Sequence, residues 1–157
     1  MIILDASVAV KWYFPESGSD AAIDLLGGSA EALIAPDLFA VEVNAALVRK
    51  GNMDKSQRDG IRLLIADFAE KLTRQQVRLT RLSGASIAKA ANLALDLGHP
   101  LKDCIYLTLA MELDCELVTC DAKFAAKAKG VWDRVRVLGR DGSSNFFGVG
   151  AFRSGHY

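Results

Sequence analysis

The chain has 157 residues, enough for one compact domain and too few for two of ordinary size. With 51% hydrophobic residues, it fills a core without disulfide staples, since a domain of this length buries roughly 70% of its unfolded surface. Nineteen Lys and Arg balance 19 Asp and Glu, which excludes the strongly basic class of nucleic-acid binders and counts against a nuclease unless acids gather in one pocket with bases on its rim.

In chain order, Ile2-Ile3-Leu4 predicts a short buried strand ending at Asp5. Val8 to Phe14 predicts a short helix stopped by Pro15, and Ser19 to Leu26 a helix ended by Gly27-Gly28. Leu33-Ile34-Ala35 is a second strand, closed by Pro36. Asp37 to Lys50 predicts a helix with an acid at its start, bases at its end and Gly51 as its stop, an order that suits the dipole and the cap. From Asp54 to Leu72 the apolar residues Ile61, Leu64, Ile65, Phe68 and Leu72 share one helical face. Val77-Arg78-Leu79 alternates like a strand, and Ala85 to Leu97 is helical up to Gly98. Leu101 to Leu113 is apolar nearly all round, which predicts a buried helix. Leu117-Val118-Thr119 is a strand ending at Cys120-Asp121, Ala122 to Lys129 a helix stopped by Gly130, and Val135 to Leu138 a last strand. Short apolar strands alternating with helices predict an α/β fold: a parallel sheet covered by helices on both faces. Gly139 to Tyr157, with Phe146, Phe147, Phe152 and Tyr157, has no clear period and reads as a tail.

Cys104, Cys115 and Cys120 are odd in number and lack Cys-x-x-Cys spacing, so reduced structural thiols are expected. Met1 leads straight into the first strand with no basic region or cleavage site, and no apolar run approaches a membrane span. A cytoplasmic protein away from membranes is therefore expected.

Four acids stand where solubility does not need them. Asp5 and Asp121 both follow strands of the parallel sheet, at the edge where such sheets bind ligands; each is also a natural helix cap. Asp103 opens the buried helix, where an acid also complements the dipole. Glu42 has Leu38, Phe39, Ala45 and Ala46 as its helical neighbours and no Lys or Arg among them. A carboxylate on such a face needs a partner, and Glu42 is expected to be the acid that holds a proton when carboxylates crowd. Four carboxylates converging on one edge need a cation between them, and oxygen donors select a hard ion such as Mg²⁺ or Mn²⁺. No nucleophile triad competes: His99, beside Pro100, reads as a loop residue, and His156 lies in the tail.

The Ile-Leu-Asp5-Ala-Ser7 opening, the Glu42-Val-Asn44-Ala-Leu helix, the Lys102-Asp103-Cys-Ile-Tyr-Leu run and the Leu-Val-Thr119-Cys-Asp121-x-x-Phe124 segment together resemble the PIN-domain (PilT N-terminus) family, and by size its VapC-like toxin branch. The resemblance runs from Met1 to about Leu138 and implies a three-layer α/β/α domain over residues 1–138, with about five parallel strands, followed by the tail 139–157. It implies Mg²⁺- or Mn²⁺-dependent endoribonuclease activity on a tRNA or rRNA, a homodimer, and a protein antitoxin that enters the acidic groove. By motif, Asp5, Glu42, Asp103 and Asp121 match the family's catalytic and metal-binding quartet, and Ser7 and Thr119 its supporting polar positions. Asp5, Asp103 and Asp121 are then the main ligands, with Glu42 holding the attacking water or a second ion; cleavage leaves a 5′-phosphate and a 3′-hydroxyl. Arg49, Lys50, Lys102 and Lys123 are candidates for RNA phosphates, or simply solvated helix ends.

Two other readings of this fold stay open: a housekeeping RNA-processing nuclease without an antitoxin, and an inactive RNA- or protein-binding module. A receiver domain wants an Asp after a middle strand and a Lys after a later one, where this chain has Thr80 and Gly139-Arg140. An aspartyl phosphatase wants Asp-x-Asp, and Asp5-Ala6-Ser7 lacks the second acid.

Overall fold

The structure is a computed structural model and describes residues 1–138. The features noted between Gly139 and Tyr157, His156 among them, lie outside the described residues. The strands are β1 (Ile2–Leu4), β2 (Leu33–Pro36), β3 (Arg78–Thr80), β4 (Glu116–Thr119) and β5 (Val135–Val137). The helices are α1 (Ala6–Val10), α2 (Ser19–Gly28), α3 (Leu38–Met53), α4 (Arg58–Thr73), α5 (Gly84–Leu97), α6 (Leu101–Glu112) and α7 (Ala122–Ala128).

All five strands are parallel, in the order β3-β2-β1-β4-β5. Every residue of β1 and β2 is buried, as an interior strand covered on both faces requires, whereas the edge strand β3 is half-exposed. Helix α6 packs on β1, β2 and β4, and α5 stacks on α6; α3 packs against α1 and α4. Seven consecutive residues of α6, Cys104 to Ala110, are buried, so its nearly all-round apolar character does mark a core helix. The cysteines are free, Cys104 and Cys115 buried among the core side chains. No helix among the described residues is long and apolar enough to cross a membrane.

Several boundaries differ from the sequence reading: α4 starts at Arg58 and not Asp54, β3 lies one residue later than Val77-Arg78-Leu79, and α1, α2 and α3 end elsewhere. Helix α1 starts at Ala6 and ends at Val10, not at Phe14. Beyond it the amides of Lys11 and Trp12 bond three residues back, tightening the chain into turns. Those turns aim Trp12 and Tyr13 at Phe39 and Phe68, with ring centroids 6.5 and 6.4 Å apart, and the Trp12 indole donates to the Ala22 carbonyl. Helix α2 continues through Gly27-Gly28.

Helix α3 runs through Gly51 to Met53. The stop is Asp54, extended at φ −137°, whose carboxylate accepts from the Ser56 amide and opens the 3-10 turn Lys55–Gln57. Gly51 is buried against Ile61 of α4, and a Cβ placed there would meet Ile61 Cγ1 at 3.5 Å, an ordinary contact. Because glycine costs a helix interior roughly 0.8–1 kcal/mol against alanine, Gly51→Ala is expected to raise stability by about 0.5–1 kcal/mol. That corresponds to roughly 1–4 °C in a melting curve for a domain of this size. A lower melting temperature would mean that α3 and α4 cannot yield to a methyl group.

Candidate active site

The strand order places a topological switch between β1 and β4. The chain leaves β1 on one side to build β2 and β3, then returns to lay β4 along its other edge. Loops beyond the carboxyl ends of these two strands diverge, and in open parallel sheets ligands occupy that crevice. Asp5 directly follows β1; Thr119 ends β4, and Asp121 lies two residues further on.

Asp5 is 5% exposed. Its Oδ2 accepts from Ser7 Oγ at 2.7 Å and from Thr119 Oγ1 at 2.7 Å. Each hydroxyl accepts a backbone amide in turn: Cys120 donates to Ser7 at 3.0 Å, and Asp121 donates to Thr119 at 3.1 Å. One carboxylate thus ties the end of β1 to the end of β4. Asp5 occupies the N-cap position of α1 but its side chain makes no capping bond, so its carboxylate is committed to this network. Burial pushes the Asp5 carboxyl up to about 6; the Ser7 and Thr119 bonds oppose the shift, and the charges of Asp103 and Glu42 add to it.

Glu42 sits on α3 with its side chain 19% exposed. Of its helical neighbours only Phe39 is buried, and Ala45 is exposed. Its partners come from α6. The Tyr106 hydroxyl donates to Oε1 at 2.8 Å, and Lys102 Nζ lies 3.8 Å from Oε2. The expectation of a buried face is therefore corrected to a half-open one, and the partners that the carboxylate needs arrive from a distant helix. Asp5 is the more deeply buried carboxyl, and desolvation raises it. Burial and the charges of Asp5 and Glu42 hold the Tyr106 phenol far above its ordinary value, so it stays protonated and donates. Tyr106→Phe keeps the buried ring and removes this bond. Water can reach the half-open Glu42, so the loss is expected at the lower end for a bond to a charged group, about 1.5 kcal/mol, seen as a melting temperature roughly 3–6 °C lower. No change would mean the bond has no net worth in the folded protein.

Asp103, in the first turn of α6, has its Oδ2 2.6 Å from His99 Nε2. The His99 ring stacks on Phe124, with centroids 4.8 Å apart and planes at 27°. Asp121 Oδ1 accepts from the Phe124 amide at 3.0 Å and so caps α7. One ligating atom from each of His99, Asp103 and Asp121 lies within 4.8 Å of the others. All four acids thus gather at the carboxyl edge of β1 and β4, Asp5 within electrostatic reach of Asp103 and Glu42, and Asp103 beside Asp121. Converging oxygen donors with mutual repulsion suit a hard divalent cation, so the residues present fit Mg²⁺ or Mn²⁺.

His99 is in a loop, as expected, but its side chain is only 10% exposed and belongs to the cluster. The local signal for it was the four-residue spacing from His99 to Asp103 across a proline-started helix. Among the cations, Lys102 reaches the site, and Lys123 is exposed two residues after Asp121. Arg49 and Lys50 stand about two helical turns beyond Glu42 along α3, roughly 10–12 Å of rise. Lys50 Nζ lies 5.8 Å over the Phe14 ring.

Among solved structures, the chain is similar to a toxin–antitoxin complex from Klebsiella pneumoniae, with TM-score 0.58 and 16% identity, covering 88% of this chain and 98% of that one. It is also similar to PAE2754 from Pyrobaculum aerophilum, with TM-score 0.56 and 19% identity, covering 82% of this chain and 85% of that one. At such identities the likeness is one of fold. No curated protein matches the sequence at a significant level. The profile of the PIN domain matches residues 2–130, which takes in all four acids, the sheet up to β4 and every helix. The chain belongs to the PIN domain family.

Proposed function

We propose that this protein is a Mg²⁺- or Mn²⁺-dependent endoribonuclease and the toxin of a toxin–antitoxin pair. PIN domains are generally nucleases, and the observation that carries the reading here is the meeting of Asp5, Glu42, Asp103 and Asp121 at the carboxyl ends of β1 and β4. Four acids gathered around one crevice lower the stability of an empty site and serve a bound cation. The divalent ion supplies neutralising charge for the phosphodiester and a more acidic water.

The chain's own residues divide the remaining work. Ser7 and Thr119 fix Asp5 through Oδ2. Asp5, Asp103 and Asp121 offer the ligand oxygens. Glu42, steadied by Tyr106, orients the attacking water and takes up its proton. Lys102 and Lys123 offer positive charge to RNA phosphates at the rim; Arg49 and Lys50 extend that charge along α3. Cleavage leaves a 5′-phosphate and a 3′-hydroxyl. The solved neighbour described as a toxin–antitoxin complex supports a protein antitoxin as partner. Such a partner inhibits by placing an arginine among the carboxylates, where its fork pairs with two of them. A cytoplasmic homodimer acting on tRNA or rRNA completes the proposal.

Expression in a bacterium is expected to arrest growth, with RNA cut at one or a few sites, and the Asp103→Asn variant is expected to do neither. Normal growth with intact RNA on wild-type expression would reject the toxin reading; purified protein that leaves RNA whole in Mn²⁺ would reject the nuclease.

A further inference from the structure

Neither the acidic quartet nor the expected supporting hydroxyls assigns a task to His99. Its ring has two fixed neighbours. One face lies on Phe124, and Nε2 meets Asp103 Oδ2 at 2.6 Å. Phe124 in turn gives its backbone amide to Asp121. A single aromatic residue thus links the loop before α6 to the loop after β4, and with them the two acids Asp103 and Asp121.

The short distance favours one of two roles for the imidazole. Two donors bound to one ion at about 2.1 Å and at right angles sit roughly 3 Å apart. At 2.6 Å the nitrogen and oxygen instead share a hydrogen. Bonded to an ionised carboxylate, which can only accept, Nε2 is the donor and has no lone pair to offer an ion. Asp103 Oδ2 is occupied by the histidine, and Oδ1 is left for the ion.

We propose that His99 is a positioning residue for the metal site, holding Asp103 through Oδ2 from a ring seated on Phe124, so that Asp103 and Asp121 present their oxygens in one fixed relation. The inference rests on the metal-site reading above. Partners that hold a ligand's second atom commonly change metal affinity 10- to 100-fold when removed. A flat ring trapped between an aromatic face and a carboxylate has little rotamer freedom, which is what such positioning requires.

The test is Mn²⁺ and Ni²⁺ binding to the purified full chain, by calorimetry and by the spin-resonance signal of free Mn²⁺. The proteins are wild type, His99→Ala, His99→Asn and His99→Gln. Glutamine places an amide donor near the position of Nε2; alanine and asparagine do not reach Oδ2. Wild type is expected to bind both ions. His99→Ala and His99→Asn are expected to weaken both ions by a similar factor, about 10- to 100-fold, while His99→Gln recovers most of the affinity. Metal-free melting curves identify any variant that fails to fold, and the Asn and Gln pair decides the matter if the alanine protein does not. Unchanged Mn²⁺ affinity in His99→Asn overturns the proposal. A loss concentrated on Ni²⁺ and not recovered by glutamine also overturns it, because Ni²⁺ favours imidazole nitrogen and such a loss would make His99 a direct ligand. Wild type that binds neither ion rejects the metal site itself, a result distinct from either of these.

Discussion

Asp5→Asn, Asp103→Asn and Asp121→Asn are each expected to lower RNA cleavage by roughly 10²- to 10⁴-fold, and any two together by little more than one alone. Asparagine keeps the shape of aspartate, so the packing around each site survives. At Asp5 the Ser7 and Thr119 hydroxyls still find a carbonyl oxygen to donate to. At Asp103 the His99 ring retains an acceptor. What is lost in each case is one negative charge and one ligand oxygen. Residues that hold a single ion act as a unit, so once the first is gone the second has little left to remove. Single-turnover cleavage of a defined RNA, with singles and doubles in parallel, measures this. Losses that multiply would show that the acids contribute separately and do not form one site.

The second large effect needs no substrate. In chelator, wild type is expected to lose stability relative to Asp5→Asn as pH rises from about 4 to about 6. The sign follows from Asp5, whose ordinary value of 3.8 is raised to about 6 in the folded chain. Between those values the folded state holds a proton that the unfolded state has released. Raising the pH therefore favours unfolding until the folded carboxyl has ionised as well. Two pH units at about 1.36 kcal/mol each set an upper scale of about 3 kcal/mol. Other carboxyls titrate in the same range, and comparison with Asp5→Asn removes their share. At pH 7 without metal the variant should therefore equal or exceed wild type.

Mn²⁺ is expected to reverse that order. An ion that binds only the folded chain stabilises it by about 2.7 kcal/mol at a hundredfold excess over Kd, a rise of roughly 5–11 °C in melting temperature. The variant gains much less. Because ion and proton compete for the same carboxylate, the gain should fade below pH 6. Asp103→Asn is expected to follow the same pattern: as stable as wild type or more so in chelator, less so in Mn²⁺. An acid serving only the helix dipole would instead cost a few tenths to about 1 kcal/mol under both conditions. Wild-type curves at pH 7.5 that ignore Mn²⁺ and Mg²⁺ alike would sink the metal site.

Much of this architecture is legible in the chain. Ile2-Ile3-Leu4 and Leu117-Val118-Thr119 read as interior parallel strands because both of their faces are covered, which favours apolar residues throughout and admits Thr119 only with partners for its hydroxyl. Asp5 and Asp121 stand out because each interrupts such a run at the ligand-binding edge. Helix ends were less legible. Gly51 resembles a stop, since glycine so often ends helices, but α3 runs past it to Met53, and the turn that Asp54 caps is what ends the helix. The short α1 likewise depends on where Phe39 and Phe68 receive Trp12 and Tyr13.

The order of apolar runs, turn residues and acids thus determined by itself the α/β class, the parallel sheet and the edge on which the four acids meet, because burial periodicity is written locally. Tertiary structure alone decided which acid is deepest and who partners whom. Helical neighbours made Glu42 look isolated; Tyr106 and Lys102, more than fifty residues away in sequence, supply its partners. His99 is the loop residue that it looked like, but Phe124 gives its ring a seat facing Asp103. Asp5, a plausible cap by sequence, makes no capping bond and is among the described residues the carboxyl most removed from water, because Ser7 of α1 and Thr119 at the end of β4 close over it. Desolvation and hydrogen bonding depend on atoms brought together across the sheet, and no local pattern of residues encodes those distances.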